Sequence, residues 1–132
     1  MATVRRIVLD TTVLVAAAYN PRNASRHVVE ACLGGELTPV VSRALRREYE
    51  FILARAARGR PYLERVHRLL GGAEVVEPAR TPRVVPGDPG DDKLVAAALA
   101  AGAAVVSNDA HLLAVAGREG LEVVRPADVR AW

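Results

Sequence analysis

Two short apolar runs, each broken off at an acid, constrain this chain more than any other feature. Ile7-Val8-Leu9 stops at Asp10-Thr11-Thr12, and Val105-Val106 runs into Ser107-Asn108-Asp109. An apolar run without polar alternation is a strand buried on both faces. Asp, Ser or Thr directly after it marks the start of a helix. Between the two runs, apolar stripes at helical spacing alternate with further short strands. A chain built this way makes a parallel sheet and covers both of its faces with helices. The expected fold is α/β, a three-layer α/β/α sandwich with a mostly parallel central sheet.

The remaining elements follow from stripes and breakers. Residues 13–18 read as a helix stopped by Asn20-Pro21, and Ser25 is placed to cap a second helix with Val28, Val29, Cys32 and Leu33 on its apolar side. Gly34-Gly35 closes it, residues 37–41 form a strand, and Ser42 caps a third helix. That helix carries Leu45, Tyr49, Ile52, Leu53 and Ala56 on one stripe. After Gly59-Arg60-Pro61, residues 62–70 form a fourth helix through Leu63, Val66, Leu69 and Leu70, and residues 74–76 a weak strand. Residues 77–90 hold four prolines and read as a loop. Asp91 or Asp92 opens a fifth helix that ends at Gly102, ahead of a strand at 103–106. A short helix through Leu112, Leu113 and Val115, a strand at 121–124 and a helical turn from Pro126 complete the chain. There is no internal repeat, so residues 1–132 are expected to form one domain.

Composition excludes several classes of function. With 51% hydrophobic and 25% charged residues, the chain is neither disordered nor short of core material. Cys32 is the single cysteine and has no partner within the chain, which points to a reducing compartment. No apolar run approaches the ~20 residues that cross a bilayer, and the start lacks the pattern of a secretory leader. A cytoplasmic protein without a membrane partner is expected.

The charge is unevenly spread. Residues 43–68 hold eight arginines against three glutamates, a surplus of five positive charges. Residues 88–132 hold seven acids against four bases, a surplus of three negative charges. Such a basic arm suits a polyanion and the acidic end suits cations, although a solvated arginine face would look the same.

Open parallel sheets bind ligands at the carboxyl ends of their strands. Asp10 and Asp109 stand at such ends, and Asp92 opens a helix that begins on the same side. Each of these acids is also a good helix cap, but capping does not explain why three should share one edge. Glu48 adjoins Tyr49 on the inward side of its helix. By itself it reads as a surface residue or as a partner for Arg43 or Arg47. Clustered carboxylates disfavour one another's ionised forms unless a cation joins them. Mg²⁺ and Mn²⁺ prefer oxygen ligands, so the acids suggest a metal site.

Four segments, in this order, resemble the PIN-domain nucleases: Ile7-Val8-Leu9-Asp10-Thr11-Thr12-Val13, Val41-Ser42 followed by Glu48, Asp91-Asp92-Lys93-Leu94-Val95-Ala96-Ala97-Ala98, and Val105-Val106-Ser107-Asn108-Asp109. Within that family the chain is most similar to the VapC-like toxins of prokaryotic toxin–antitoxin systems. The resemblance implies a ribonuclease that hydrolyses RNA phosphodiester bonds with Mg²⁺ or Mn²⁺. It makes Asp10, Glu48, Asp92 and Asp109 the catalytic, metal-binding acids. Asp91 replaces Asp92 if the register is shifted by one, and Asp88 is a more distant substitute. Thr12 and Ser107 match small polar supporting positions, where the family often has Asn and Thr respectively. Arg43, Arg46, Arg47, Arg55 and Arg58 would hold phosphates of the RNA. The resemblance also implies a homodimer and an antitoxin partner. If it holds, the carboxyl groups of residues 10, 48, 92 and 109 should converge within reach of one ion.

Two rivals remain. Asp10-Thr11-Thr12-Val13 faintly resembles haloacid-dehalogenase phosphatases, but these usually carry a second Asp where Thr12 stands. A PIN-like domain that binds RNA or protein without cutting would also have this sequence. His27, His67 and His111 do not recur at ligand spacing, and Cys32 lies on an apolar stripe.

Overall fold

The first strand, β1 (Arg5–Leu9), forms the middle of the sheet in this computed structural model, which describes residues 5–79 and 91–129. On one side it pairs with β2 (Leu37–Val41), which in turn pairs with β3 (Glu74–Val75). On the other it pairs with β4 (Ala104–Val106), followed by β5 (Val123–Val124). The order is β3-β2-β1-β4-β5 and every pairing is parallel. Ile7 is in register with Pro39 on one side and Ala104 on the other. At Pro39 β2 has a strand on one side only, since β3 pairs with Val40 and Val41, and a strand tolerates a residue without an N–H at such a place.

Helices α1 (Thr11–Tyr19) and α2 (Ala24–Leu33) connect β1 to β2, and α3 (Arg43–Ala56) and α4 (Tyr62–Gly71) connect β2 to β3. Helix α5 (Asp92–Ala101) leads into β4, α6 (Ala110–Ala114) follows it, and α7 (Pro126–Val129) comes last. Right-handed crossovers put α1–α4 on one face and α5, which returns past β1, on the other. Ile7, Val8 and Leu9 are all buried, and successive residues of a strand point to opposite faces, so both faces of β1 are covered. The α/β/α expectation is met.

Local chemistry explains most of the boundaries. Ser42 caps α3 as expected, accepting from the Leu45 N–H at 3.2 Å. Helix α2 is capped by Asn23 rather than by Ser25, which lies buried inside the first turn. The Asn23 amide does what a hydroxyl at 25 cannot: Oδ1 accepts from Arg26 N at 2.8 Å while Nδ2 donates to the Ala16 carbonyl at 2.9 Å. One side chain thus starts α2 and ties it to α1. Gly102 ends α5 in the left-handed region at φ 63°. The edge strands are shorter than the spacing predicts. Their ladders nevertheless extend one bond further, through Val76 N to Val41 O and Val105 N to Glu122 O, both 2.9 Å.

A polar clamp joins α2 to α4. Glu30 accepts from Arg65 at 2.8 and 2.7 Å and from Arg26 at 2.9 Å. The hydrogen bond from Arg65 is the main cause that holds the Glu30 carboxyl down to about 2, against the opposing effect of burial. Arg26 lies 4.8 Å over the Tyr62 ring, whose hydroxyl donates to the Leu14 carbonyl at 2.9 Å.

Candidate active site

The last register pair of β1 and β4 is Leu9 with Val106, so the next residues, Asp10 and Ser107, leave the sheet side by side. The Asp10 N–H bonds to the Val106 carbonyl at 3.0 Å. The chain leaves β1 toward β2 and leaves β4 toward β5, in opposite directions. A crevice opens at such a switch point. Ser107 is fully buried, and its hydroxyl donates to Asp10 Oδ2 at 2.6 Å while accepting from the Asp109 N–H at 2.9 Å. This serine fixes the Asp10 carboxylate and the turn that carries Asp109 with one oxygen. Asp10 Oδ1 accepts from Thr12 N at 3.3 Å, and Asp109 Oδ1 accepts from His111 N at 2.8 Å.

Glu48 reaches the same edge from α3. The neighbouring Tyr49 is buried and donates its hydroxyl to the Leu9 carbonyl, which pins α3 to the end of β1. Burial pushes the Tyr49 phenol above its usual range, and the carboxylates of Asp10 and Glu48 push it further, so the hydroxyl keeps its proton. Glu48 Oε2 accepts from the Thr11 hydroxyl at 2.9 Å, and Oε1 lies 3.6 Å from Lys93 Nζ. The glutamate is therefore held by α1 and α5 together, not by Arg43 or Arg47, the partners open to it as a surface residue.

Asp92 is 4% exposed in the first turn of α5. Asp91 precedes it with no side-chain cap bond, and its Oδ2 is shielded from solvent. Both acids stand where α5 begins, on the carboxyl edge of the sheet. Asp88 lies outside the described residues.

Residues 6–116 match the family model of the PIN domain. The chain belongs to the PIN-domain family. No curated protein matches it in sequence. Among solved structures, PAE2754 from Pyrobaculum aerophilum is similar with a TM-score of 0.61 at 18% identity, over 98% of this chain and 90% of that one. VapBC2 from Rickettsia felis, bound to a DNA fragment from their promoter, is similar with a TM-score of 0.62 at 13% identity, over 91% of this chain and 98% of that one. At these identities the two structures speak to the fold. The resemblance to haloacid-dehalogenase phosphatases, confined to the end of β1, falls away.

Within this PIN domain the acids do not all meet. Among the described residues, no three Asp, Glu, His or Cys side chains form a group set to hold a metal ion. No convergence on one ion is seen among the described residues, and three of the carboxylates each have a donor of their own: Ser107 for Asp10, Thr11 and Lys93 for Glu48, and the α6 N-terminus for Asp109. The donor set still fits a divalent ion in kind. Its atoms are all oxygens, which hard cations prefer, and two of its carboxylates, Asp10 and Asp92, are buried on one edge, where positive charge lowers the energy of both.

Thr11, Tyr49 and Lys93 are the site residues that sequence reasoning misses. Thr12, the expected support, is exposed and contributes its backbone N–H to Asp10. The signal for Lys93 was its rarity, since it is the only lysine in the chain. The arginines divide along α3. Arg43 pairs with Glu77 at 3.0 Å and Arg46 with Glu50 at 3.2 Å, whereas Arg55 lies 4.4 Å over the Phe51 ring. Twelve residues of helix separate Arg55 from Arg43, about 18 Å at 1.5 Å per residue, and Arg58 lies beyond the end of α3. His27, His67 and His111 are exposed. Cys32 is buried, and burial pushes its thiol up to about 12.

Proposed function

We propose that this PIN domain is a metal-dependent endoribonuclease and the toxin of a toxin–antitoxin pair. One observation carries the reading: Asp10 and Ser107 emerge together at the switch point of a parallel sheet, with Glu48 and Asp92 on the same edge. Asp10, Asp92 and Asp109 are the residues to hold Mg²⁺ or Mn²⁺, with Glu48 beside them and Asp91 as the alternative to Asp92. When bound, such an ion supplies a water of lowered pKa and countercharge for the phosphoryl oxygens.

The chain's own residues do the rest. Ser107 fixes the orientation of the Asp10 carboxylate, and Thr11 and Lys93 fix that of Glu48. Glu48 or Asp92 takes the proton of the attacking water. Water oxygen bonds to phosphorus as the bond from phosphorus to the 3′ oxygen breaks, leaving 5′-phosphate and 3′-hydroxyl ends. The arginines of α3 hold the RNA through its phosphates, which makes binding salt-dependent. Few aromatic residues are available for base stacking, so sequence reading is modest. The likeness to VapBC2 supports an antitoxin partner, and an arginine from it would pair with the acids and exclude the metal. A homodimer in the cytoplasm completes the reading. No helix among the described residues is long and apolar enough to cross a membrane.

The test is cleavage of structured and single-stranded RNA with Mg²⁺, Mn²⁺ or a chelator. The wild type should cut only with metal. Asp10→Asn should lower the rate by about 100-fold or more, the scale seen when one electrostatic stabiliser is removed, and leave folding and RNA binding intact. If both proteins bind RNA equally and neither cuts in either metal, the domain is a binding module and the enzyme reading is wrong.

A further inference from the structure

Next to the acids, on the β2 side of the edge, the first turns of α3 and α5 and the chain leaving β3 enclose an open cavity of about 450 Å³. Its charged lining is Arg43 and Arg47 from α3, Lys93 from α5, and Glu77. Arg43 and Arg47 are four residues apart and share one face of their helix. Lys93 also touches Glu48, so the cavity and the acids have a common wall. Ser42 contributes to the lining and caps α3, whose positive end opens here. Three cations from two elements thus face one carboxylate. That carboxylate, Glu77, is 3.0 Å from Arg43 in a pair whose side chains are 78% and 66% exposed. Such a wet pair is weak and easily exchanged for another anion.

We infer that this cavity is a phosphate subsite, which seats the RNA phosphodiester next to the one that is cut, with Glu77 competing for Arg43 until the strand arrives. The identity of the strand rests on the nuclease reading, whereas the presence of an anion site does not. Arginine forks match the paired oxygens of a phosphodiester. Lys93 is shared between Glu48 and the cavity, so the seated phosphate lies one side chain away from the acids. A strand placed this way runs toward α3 and meets the arginines of its first turns.

The test measures binding of a short labelled single-stranded RNA to the 132-residue chain in chelator, across a range of salt. The double variant Arg43→Gln/Arg47→Gln should bind about tenfold more weakly. Its plot of log affinity against log salt should flatten by about 0.7, the contribution of one phosphate on a single strand. Arg68→Gln, which removes an exposed positive charge on α4, serves as the control for a lost charge away from the cavity and should change neither value. Glu77→Gln should bind RNA about twofold more tightly, because a competitor for Arg43 is gone. A structural role for Glu77 predicts the opposite sign or no change. The subsite is refuted if the double variant matches Arg68→Gln, or if Glu77→Gln weakens binding. It is also refuted if oligoglutamate binding, and not RNA binding, depends on Arg43 and Arg47, which would assign the cavity to a protein partner. Cleavage read in parallel separates the two readings. RNA bound through these arginines without cutting in metal removes the nuclease and keeps the subsite, and cutting that ignores them does the reverse.

Discussion

At the scale of single residues, the site is held by hydroxyl groups. Ser107, Thr11 and Tyr49 each place a donor on an oxygen that would otherwise be free to turn: Asp10 Oδ2, Glu48 Oε2 and the Leu9 carbonyl. Tyr49→Phe removes one donor and leaves that buried carbonyl unpaired. The expected loss is about 1–3 kcal/mol of stability, measured by denaturant unfolding, and under the proposed nuclease reading cleavage should fall as α3 loosens. A variant as stable as wild type would show that the bond to Leu9 does not anchor the helix. Asp10, Asp92 and Asp109 stand out in the sequence because each follows an apolar run or opens a helix, whereas Glu48 is marked only by the family resemblance. Their partners are not legible. Whether Thr11 or Thr12 turns toward Glu48 depends on how α1 is rotated against α3, and that rotation is decided by packing between segments 37 residues apart.

At the scale of elements, strand ends and helix stops are readable because Gly, Pro and capping residues act locally. The cap of α2 shows the limit. Asn23 outcompetes Ser25 through a second bond to Ala16, a contact outside any local window. The edge strands shorten for a similar reason: a strand with one neighbour has half the ladder to hold it. Helix α5 is nearly all small apolar residues, so it lies close on the sheet, and its end must turn sharply. Gly102 makes that turn at φ 63°, and a Cβ there would meet nothing within 4 Å. The strain of Gly102→Ala is therefore purely conformational, about 1–2 kcal/mol, readable as a lower melting temperature. Gly102→Asn should cost less, since Asn enters this region more readily. Equal melting temperatures for all three proteins would contradict the left-handed cap.

At the scale of the molecule, stability depends on pH through the clamp between α2 and α4. The Glu30 carboxyl is held at about 2 instead of its ordinary 4.5, mainly by the hydrogen bond from Arg65. A depressed carboxylate contributes fully above its unfolded value and loses that contribution as pH falls through its folded one. The clamp should therefore weaken between about 4.5 and about 2. Melting temperatures of wild type and Glu30→Gln should differ above this window and approach each other within it. A gap that persists at the acid end would mean that Glu30 acts through packing and not charge.

The sheet's order has a consequence for synthesis. Its central strand is made first, yet its right-hand neighbour β4 comes 97 residues later in register, Leu9 against Val106. A chain emerging from the ribosome carries Asp10 for 97 residues before Ser107 exists to orient it. A product that stops short of β4 lacks the donor that fixes Asp10, and under the proposed nuclease reading it should not cut RNA.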